Sequence, residues 1–532
     1  MSNTALQDLD VAIVGFGPVG ATLAGLLGQR GCRVAVLDKS EQVYPLPRAF
    51  ALDHEAMRVF QQLGIAPALA PHMTPYRPTV YQGAQGQPIQ RFDFGPGPYP
   101  LGWMPAYTFN QPALEAALRA AVGAMPTVRA HLGLEVTQLA DDGEQVRFTA
   151  RDAGGGLHAG SARYVVGCDG GSSFVRRHAG MTLRSLEFDE PWVVVDVHVD
   201  EDKLAALPET NIQHCRPERP CTYVVGPGTH RRWEFLRLPH EAEQREVSDE
   251  TLWQLLSPWL APGEARLWRA ATYRFHAVVA DAWRSGRILL AGDSAHQMPP
   301  FLAQGMCQGI RDAVNLAWKL AWVVQGRAPQ SLLDSYGRER GPQVEETTRI
   351  VKSLGQVICE RDPQRARSRD AELLARQGGS VQTQVRQSLL PGVRHGLIDA
   401  TCQGAGMPFP QPHAACGERR DRLDELLPRG FLLFLHELPA PALLDRLREA
   451  LRPLSGHVVV LSGAVGATTG VSRIDEHEPS IAAWMAERGC AAALVRPDHV
   501  VYGIAADAQR ALALVEAAVA AIGAPQRESL NV

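Results

Sequence analysis

Three glycine-centred segments follow one another in a fixed order along the chain, and the first constrains the fold most tightly. Residues 11–14, Val-Ala-Ile-Val, form a short apolar run, after which Gly15, Gly17 and Gly20 take the spacing Gly-x-Gly-x-x-Gly. Pro18 follows the second glycine, and the apolar stretch 21–27 reads as a helix. Glycines here allow a tight turn and a close approach of backbone to a pyrophosphate, which sits on the helix N-terminus where free N–H groups point at it. A second strand, 33–37, ends in Asp38, with Lys39 next. A carboxylate so placed can accept hydrogen bonds from a ribose. The order strand, glycines, helix, strand, acid predicts a dinucleotide-binding unit, and this segment alone suits NAD or FAD equally.

The second segment, 164–170, is an apolar strand ending in Asp169-Gly170, by itself an ordinary turn dipeptide. The third is more telling. Residues 288–291 read as a buried strand, and Asp293, after Gly292, stands at its carboxyl end, where open α/β sheets bind ligands. Pro299-Pro300 and a loop with Gly305, Met306 and Cys307 then lead into an amphipathic helix that stops at Gly326. The N–H groups of Met306 and Cys307 would lie at the positive end of that helix, suited to stabilising negative charge.

In order and wording these segments resemble the single-component FAD-dependent aromatic hydroxylases, the para-hydroxybenzoate hydroxylase superfamily, and most closely the 3-(3-hydroxyphenyl)propionate hydroxylases. Further matching stretches are Pro47-Arg48-Ala49, Phe109 to Glu115, Trp192 to Asp196, Arg231 to Phe235, and the late Leu494-Val-Arg496-Pro497-Asp498. The resemblance implies bound FAD, a transient visit by NADH or NADPH, and attack of a flavin hydroperoxide, formed with molecular oxygen, on a phenolic or other electron-rich ring. It places Arg48 at the pyrophosphate or the mobile ring and Gln111 near the ribityl chain. Pro300, Gly305, Met306 and Cys307 are placed along the isoalloxazine.

A chain of 532 residues with a formal net charge of −4 suits a multidomain α/β enzyme, and no basic stripe points to nucleic acid. No segment approaches the roughly 20 apolar residues of a membrane span. Residues 1–8 lack the pattern of a signal peptide. Nine scattered cysteines without a Cys-x-x-Cys pair predict free thiols in the cytoplasm and no metal site.

The expected organisation is a Rossmann-like FAD-binding domain (1–75, 106–185 and 275–400) interrupted by a β-sheet substrate domain (76–105 and 186–274). By resemblance, 401–532 form a thioredoxin-like extension, and its lack of a redox cysteine pair points to packing or a homodimer contact rather than electron transfer. A phenol reacts better as phenolate, so a base or charge partner should face the ring. His214, Tyr223, Arg232 and Tyr107 lie in segments that could supply it, each also readable as a packed core residue. Asp53-His54-Glu55 reads first as a helix start. A flavin halogenase is disfavoured because Trp318 to Trp322 does not give its Trp-x-Trp-x-Ile-Pro motif. A flavin reductase or dehydrogenase that inserts no oxygen, and a non-catalytic flavoprotein module, remain as alternatives.

Overall fold

Leu9–Val14 is buried along almost its whole length, as a strand covered on both faces must be. The computed structural model describes residues 6–241, 246–462 and 470–523, so the reading of the first five residues lies outside the described residues. Leu9–Val14 pairs in parallel with Val34–Asp38 on one side and Leu157–Gly167 on the other. Val128–Leu132 and Ile288–Leu290 extend the parallel sheet at either end. Glu135–Asp141 and Val146–Arg151 form an antiparallel ladder that joins Leu157–Gly167. Helix Pro18–Gly28 lies against Gly305–Val324 and Gln111–Gly123.

A second sheet has nine strands. In spatial order they are His296–Gln297, Ala265–Ala280, Leu183–Val199, His230–Leu236, Cys221–Val225, Asn211–His214, Thr79–Gln82, Pro88–Asp93 and Thr383–Val385. Two of these come from the stretch 275–400 expected wholly in the flavin layer: His296–Gln297 pairs with Ala265–Ala280, and Thr383–Val385 with Pro88–Asp93. Both are too short to carry a period-2 signal of their own, and the strands they join supply the pairing. Alternation gives this sheet two different faces. Val193, Val195, Val197, Tyr223, Trp233 and Phe235 pack with Leu252 and Leu256 of helix Asp249–Leu256. Asp196, Arg232 and Glu234 alternate with them and point to the other face, where the loop 47–50 rests.

Three short strands, Ala51–Asp53, Ala106–Phe109 and Met73–Pro75, form a small sheet beside that loop. Near the C-terminus a five-stranded sheet runs Val471–Arg473, His457–Ser462, Leu432–Glu437, Ala492–Val495, Val501–Ala505, with the last two pairings antiparallel. Helix Ala508–Ile522 closes it, and Asp507 caps the helix as expected, accepting from the Arg510 N–H at 2.7 Å.

Candidate active site

The three glycine segments meet at one point. Gly15 has φ +104°, and a Cβ there would stand 2.4 Å from the Cys168 carbonyl oxygen of the second segment. A Cβ on Gly20 would lie 2.0 Å from Gly15 O. On Gly309, in the helix after the third segment, it would come within 2.5 Å of Val19 Cγ2 and 3.1 Å of Gly292 Cα. A Cβ on Gly17, by contrast, would meet nothing within 4 Å. The glycines therefore close the turn on its inner sides and leave open space in front of helix Pro18–Gly28. No side chain caps that helix, nor Gly305–Val324. Two helix N-termini with unsatisfied N–H groups thus border the same cleft.

The three expected acidic residues differ in what they hold. Asp38 accepts from the Phe16 N–H at 2.6 Å and the Ser40 N–H at 2.7 Å, which ties the glycine turn to the second strand, and Lys39 beside it is exposed. Asp169 is filled by the Ser173 and Ser294 hydroxyls (2.5 and 3.0 Å) and the Phe174 and Val175 N–H groups (2.7 and 3.1 Å). It links the second segment to the third, and Gly170 after it turns through φ +79°. Asp293 alone accepts no hydrogen bond among the described residues. Its side chain keeps solvent contact while protein crowds it, and that desolvation raises its carboxyl against the opposing pull of His296 and Arg48. A carboxylate that accepts no hydrogen bond among the described residues, at the mouth of an open cradle, suits a polyhydroxylated ligand chain. The donor set fits FAD: free N–H groups for phosphates and a free acceptor for hydroxyls.

Two buried carboxylates that sequence reading missed, or read only as a cap, orient these parts. Asp312 accepts from the Gly292 N–H at 2.9 Å, from His296 Nε2 at 2.8 Å and from Arg340 Nε at 2.7 Å, fixing the turn that presents Asp293. His296 is consequently a buried structural residue. The available signal was an acid on the apolar stripe of a helix. Asp53 caps its helix by accepting from the Ala56 N–H at 3.0 Å, and its other oxygen takes Arg311 at 2.7 Å and Gln304 at 3.3 Å. This braces the start of Gly305–Val324. Pro300 opens the one-turn helix Pro300–Leu302, and Ala303 after it is held at φ +51°.

Gln111 acts on the loop 47–49: its Oε1 accepts from the Arg48 N–H at 3.0 Å and from the Ala49 N–H, while Nε2 donates to Glu115 at 2.6 Å. The Arg48 guanidinium itself is half exposed, 3.8 Å from Glu115. Arg232, expected to face substrate, holds the same loop instead. It grips Asp196 with Nε (2.7 Å) and Nη2 (2.9 Å) and donates to the carbonyls of Arg48 (2.9 Å) and Pro47 (3.2 Å). Burial alone would raise the Asp196 carboxyl, but Arg232 and the hydrogen bond from His230 outweigh it and hold the carboxyl at about 2.

His214 and Tyr223 do not reach the cleft. Strand register turns both to the face covered by Asp249–Leu256, alongside Ile212 and Cys221. Tyr223 donates to Pro208 O at 3.0 Å, and the His214 ring lies 5.5 Å from that of Trp259. Burial and the nearby Arg216 push the His214 imidazole down to about 4. The Tyr107 hydroxyl accepts from the Met104 N–H at 3.1 Å, in the small sheet beside the loop.

A family model described as an FAD binding domain matches residues 8–351, and one described as an HcaD C-terminal domain matches 406–521. The chain is 38% identical over 97% of its length, and 95% of the relative's, to a protein of Rhodococcus jostii (strain RHA1) named probable NADH-specific resorcinol 4-hydroxylase. The chain belongs to the FAD-dependent aromatic hydroxylases. A second member, the 3-(3-hydroxy-phenyl)propionate/3-hydroxycinnamic acid hydroxylase of Burkholderia cenocepacia (strain HI2424), is 33% identical over 98% of both chains. Among solved structures, the flavin-dependent monooxygenase PieE in complex with FAD and substrate shares the fold at 22% identity. Its TM-score is 0.81, with 98% of this chain and 99% of that one covered. As the family model implies, the hydroxylase binds FAD. Among the described residues no helix is long and apolar enough to cross a membrane.

Proposed function

We propose that this hydroxylase inserts one atom of molecular oxygen into a small phenol of the resorcinol type, with NADH as reductant. The observation that carries the reading is the convergence of three glycine segments on one open cradle whose Asp293 accepts no hydrogen bond among the described residues. The substrate class and the choice of NADH are supported by the full-length similarity to the resorcinol 4-hydroxylase. Bound FAD would accept hydride from NADH and deliver oxygen to the ring.

The chain's own residues bind, orient and exclude water. Gly15, Gly17, Pro18 and Gly20 would let the first helix turn hold the pyrophosphate. Asp38 and Lys39 would lie on its ribose side, and Asp293, after Gly292, would take a ribityl hydroxyl. Arg48 and Gln111 would cover the cofactor from the loop. Asp169 and Gly170 would keep the second segment against it, and Pro300, Gly305, Met306 and Cys307 would line its ring. The parallel and nine-stranded sheets would be the flavin and substrate domains. The order and direction of the C-terminal strands support a thioredoxin-like reading of that unit. Nine free cysteines support a reducing, cytoplasmic setting. Buried ion pairs that tie the C-terminal unit to the flavin layer favour a packing role there, with a homodimer to be tested by sedimentation.

The test is a panel of resorcinol, 3-(3-hydroxyphenyl)propionate and simple phenols, scored for NADH and NADPH oxidation and for product mass. One oxygen atom from labelled molecular oxygen is expected in the resorcinol product. Label arriving from water instead would rule out a monooxygenase. Asp293→Ala is expected to weaken FAD retention by about 10- to 10²-fold, the loss of a charged hydrogen bond worth roughly 1.5–3 kcal/mol. Unchanged FAD affinity, measured by dialysis and fluorescence, would move Asp293 out of the site.

A further inference from the structure

On the cleft-facing side of the nine-stranded sheet, one row of side chains runs across six strands: Val194, Glu234, Thr222, Gln213, Tyr81 and Gln90. Pairing in register puts Glu234 between Val194 and Thr222. The row is polar from Glu234 onward, and within it only Thr222 and Gln213 bond to each other, at 2.6 Å, while Gln90 Oε1 is buried without a partner. The Glu234 carboxylate accepts no hydrogen bond among the described residues, although the residue is 6% exposed. The loop 301–303, which leads into helix Gly305–Val324, packs on this face of the sheet to both sides of the row. Phe301 stacks edge-on against Trp192 at 5.6 Å, one row to one side, and Ala303 packs in the cluster of Val224, one row to the other. Glu234 lies on the diagonal between Trp192 and Val224. A carboxylate on the sheet, under the loop that would line the flavin and with no hydrogen bond among the described residues, has room to accept a donor from a ligand.

We propose that Glu234 is the group that takes the hydroxyl proton of the phenolic substrate. This inference rests on the function proposed above. The phenol O–H donates to Glu234 Oε, the proton passes to the carboxylate, and a carboxylic acid and a phenolate result. No other reactant is needed. The ring gains electron density where oxygen must attack, and the carboxylic acid holds the proton until the product takes it back.

The charged groups around Glu234 suit this role. Burial raises its carboxyl to about 7, with Arg232 pulling it down, Asp196 pushing it up and Arg269 pulling it down. Arg232 Nη1 stands 4.0 Å away but is spent on Asp196 and the loop carbonyls. From the loop side, Arg386 donates to Leu302 O at 2.7 Å and lies over the Tyr76 ring. A base that ionises near neutral pH is matched to abstracting a proton there.

The experiment compares wild type, Glu234→Gln and Glu234→Asp, each loaded with FAD, with resorcinol as the probe. Wild-type kcat/KM is expected to fall as pH drops through about 7, where Glu234 gains its proton. Glu234→Gln should lose about 10²-fold at pH 7 and rise only toward the phenol's own ionisation near 10. Glu234→Asp should recover part of the rate. The independent readout is the Kd of resorcinol, followed by ultraviolet difference spectra from pH 5 to 9. In wild type, binding is expected to weaken as pH falls through about 7, where the carboxylate that accepts the phenol O–H gains its proton, and in Glu234→Gln no such step is expected. It needs no turnover, and wild type alone decides it if the variant fails to fold. Wild-type binding that stays flat through pH 7, or a folded Glu234→Gln enzyme with the wild-type profile, overturns this inference while leaving the hydroxylase function intact. A wild type that hydroxylates no phenol overturns both.

Discussion

A Met306→Pro variant is expected to lose hydroxylation by about 10²–10³-fold while keeping its FAD, whereas Met306→Ala keeps most of the activity. Helix Gly305–Val324 begins one residue earlier, so the Met306 N–H has no acceptor within the helix. No side chain supplies one either, because the Gln304 amide is turned to Asp53. These N–H groups would face the negative charge that builds up on the bound cofactor. Proline in the first helical turn removes a donor without breaking an intrahelical bond, which makes the substitution unusually clean. The comparison separates backbone from side chain, since alanine keeps the N–H and removes only the thioether. Near-native melting and FAD content come first as controls. A folded, FAD-loaded Met306→Pro enzyme that turns over at the normal rate would falsify the assignment of this helix start as the anion site.

Arg496→Leu is expected to destabilise the hydroxylase by about 3–5 kcal/mol, the usual result of removing one partner from a buried ion pair. Arg496, Asp498, Glu339 and Lys319 form a buried cluster between the C-terminal sheet and helices Gly305–Val324 and Asp334–Ile358. Arg496 reaches Glu339 at 2.7 Å and Asp498 at 2.5 Å, and Lys319 reaches Glu339 at 2.8 Å. Two cations balance two carboxylates, so loss of Arg496 leaves one negative charge without compensation. Burial alone would raise the Glu339 carboxyl, but Arg496 and Lys319 outweigh it and hold it at about 2. A carboxyl lowered on folding contributes stability above its unfolded range and loses it as pH falls toward the folded value. Wild type should therefore lose stability between about pH 4.5 and 2 more steeply than Arg496→Leu. Urea unfolding at pH 7 and across that window checks both statements. Adding Glu339→Gln to Arg496→Leu should recover part of the loss, because it removes the stranded charge. Equal stability of Arg496→Leu and wild type at pH 7 would show that the cluster does not hold the C-terminal unit in place.

The cradle was legible in the chain because its chemistry is local. Gly15, Gly17, Gly20, Gly292 and Asp293 work through backbone turns and strand ends, and those are set by neighbours within a few residues. Helix starts at Asp53 and Asp507 were legible for the same reason, a short acidic side chain just ahead of a helix. The alternating strands 193–199 and 222–225 were legible as strands, yet the face each residue takes was not. A shift of one residue in register exchanges the two faces of a strand. That is why His214 and Tyr223 were named as candidates and Glu234 was passed over, and only pairing with Thr222 and Val194 shows that Glu234 lies on the opposite face from them.

By itself, then, the sequence determined the βαβ glycine turn, the acid that follows Gly292 and the start of the helix after Gly305, since each depends on contacts between residues close along the chain. Tertiary structure alone decided that Arg232 grips a loop 184 residues away, that Asp312 orients Gly292, and that Arg496 closes a buried charge cluster with a glutamate 157 residues distant. Charged groups at such separations find their partners only when packing removes water from around them. The identity of each partner is therefore a property of the fold and leaves no period in the chain.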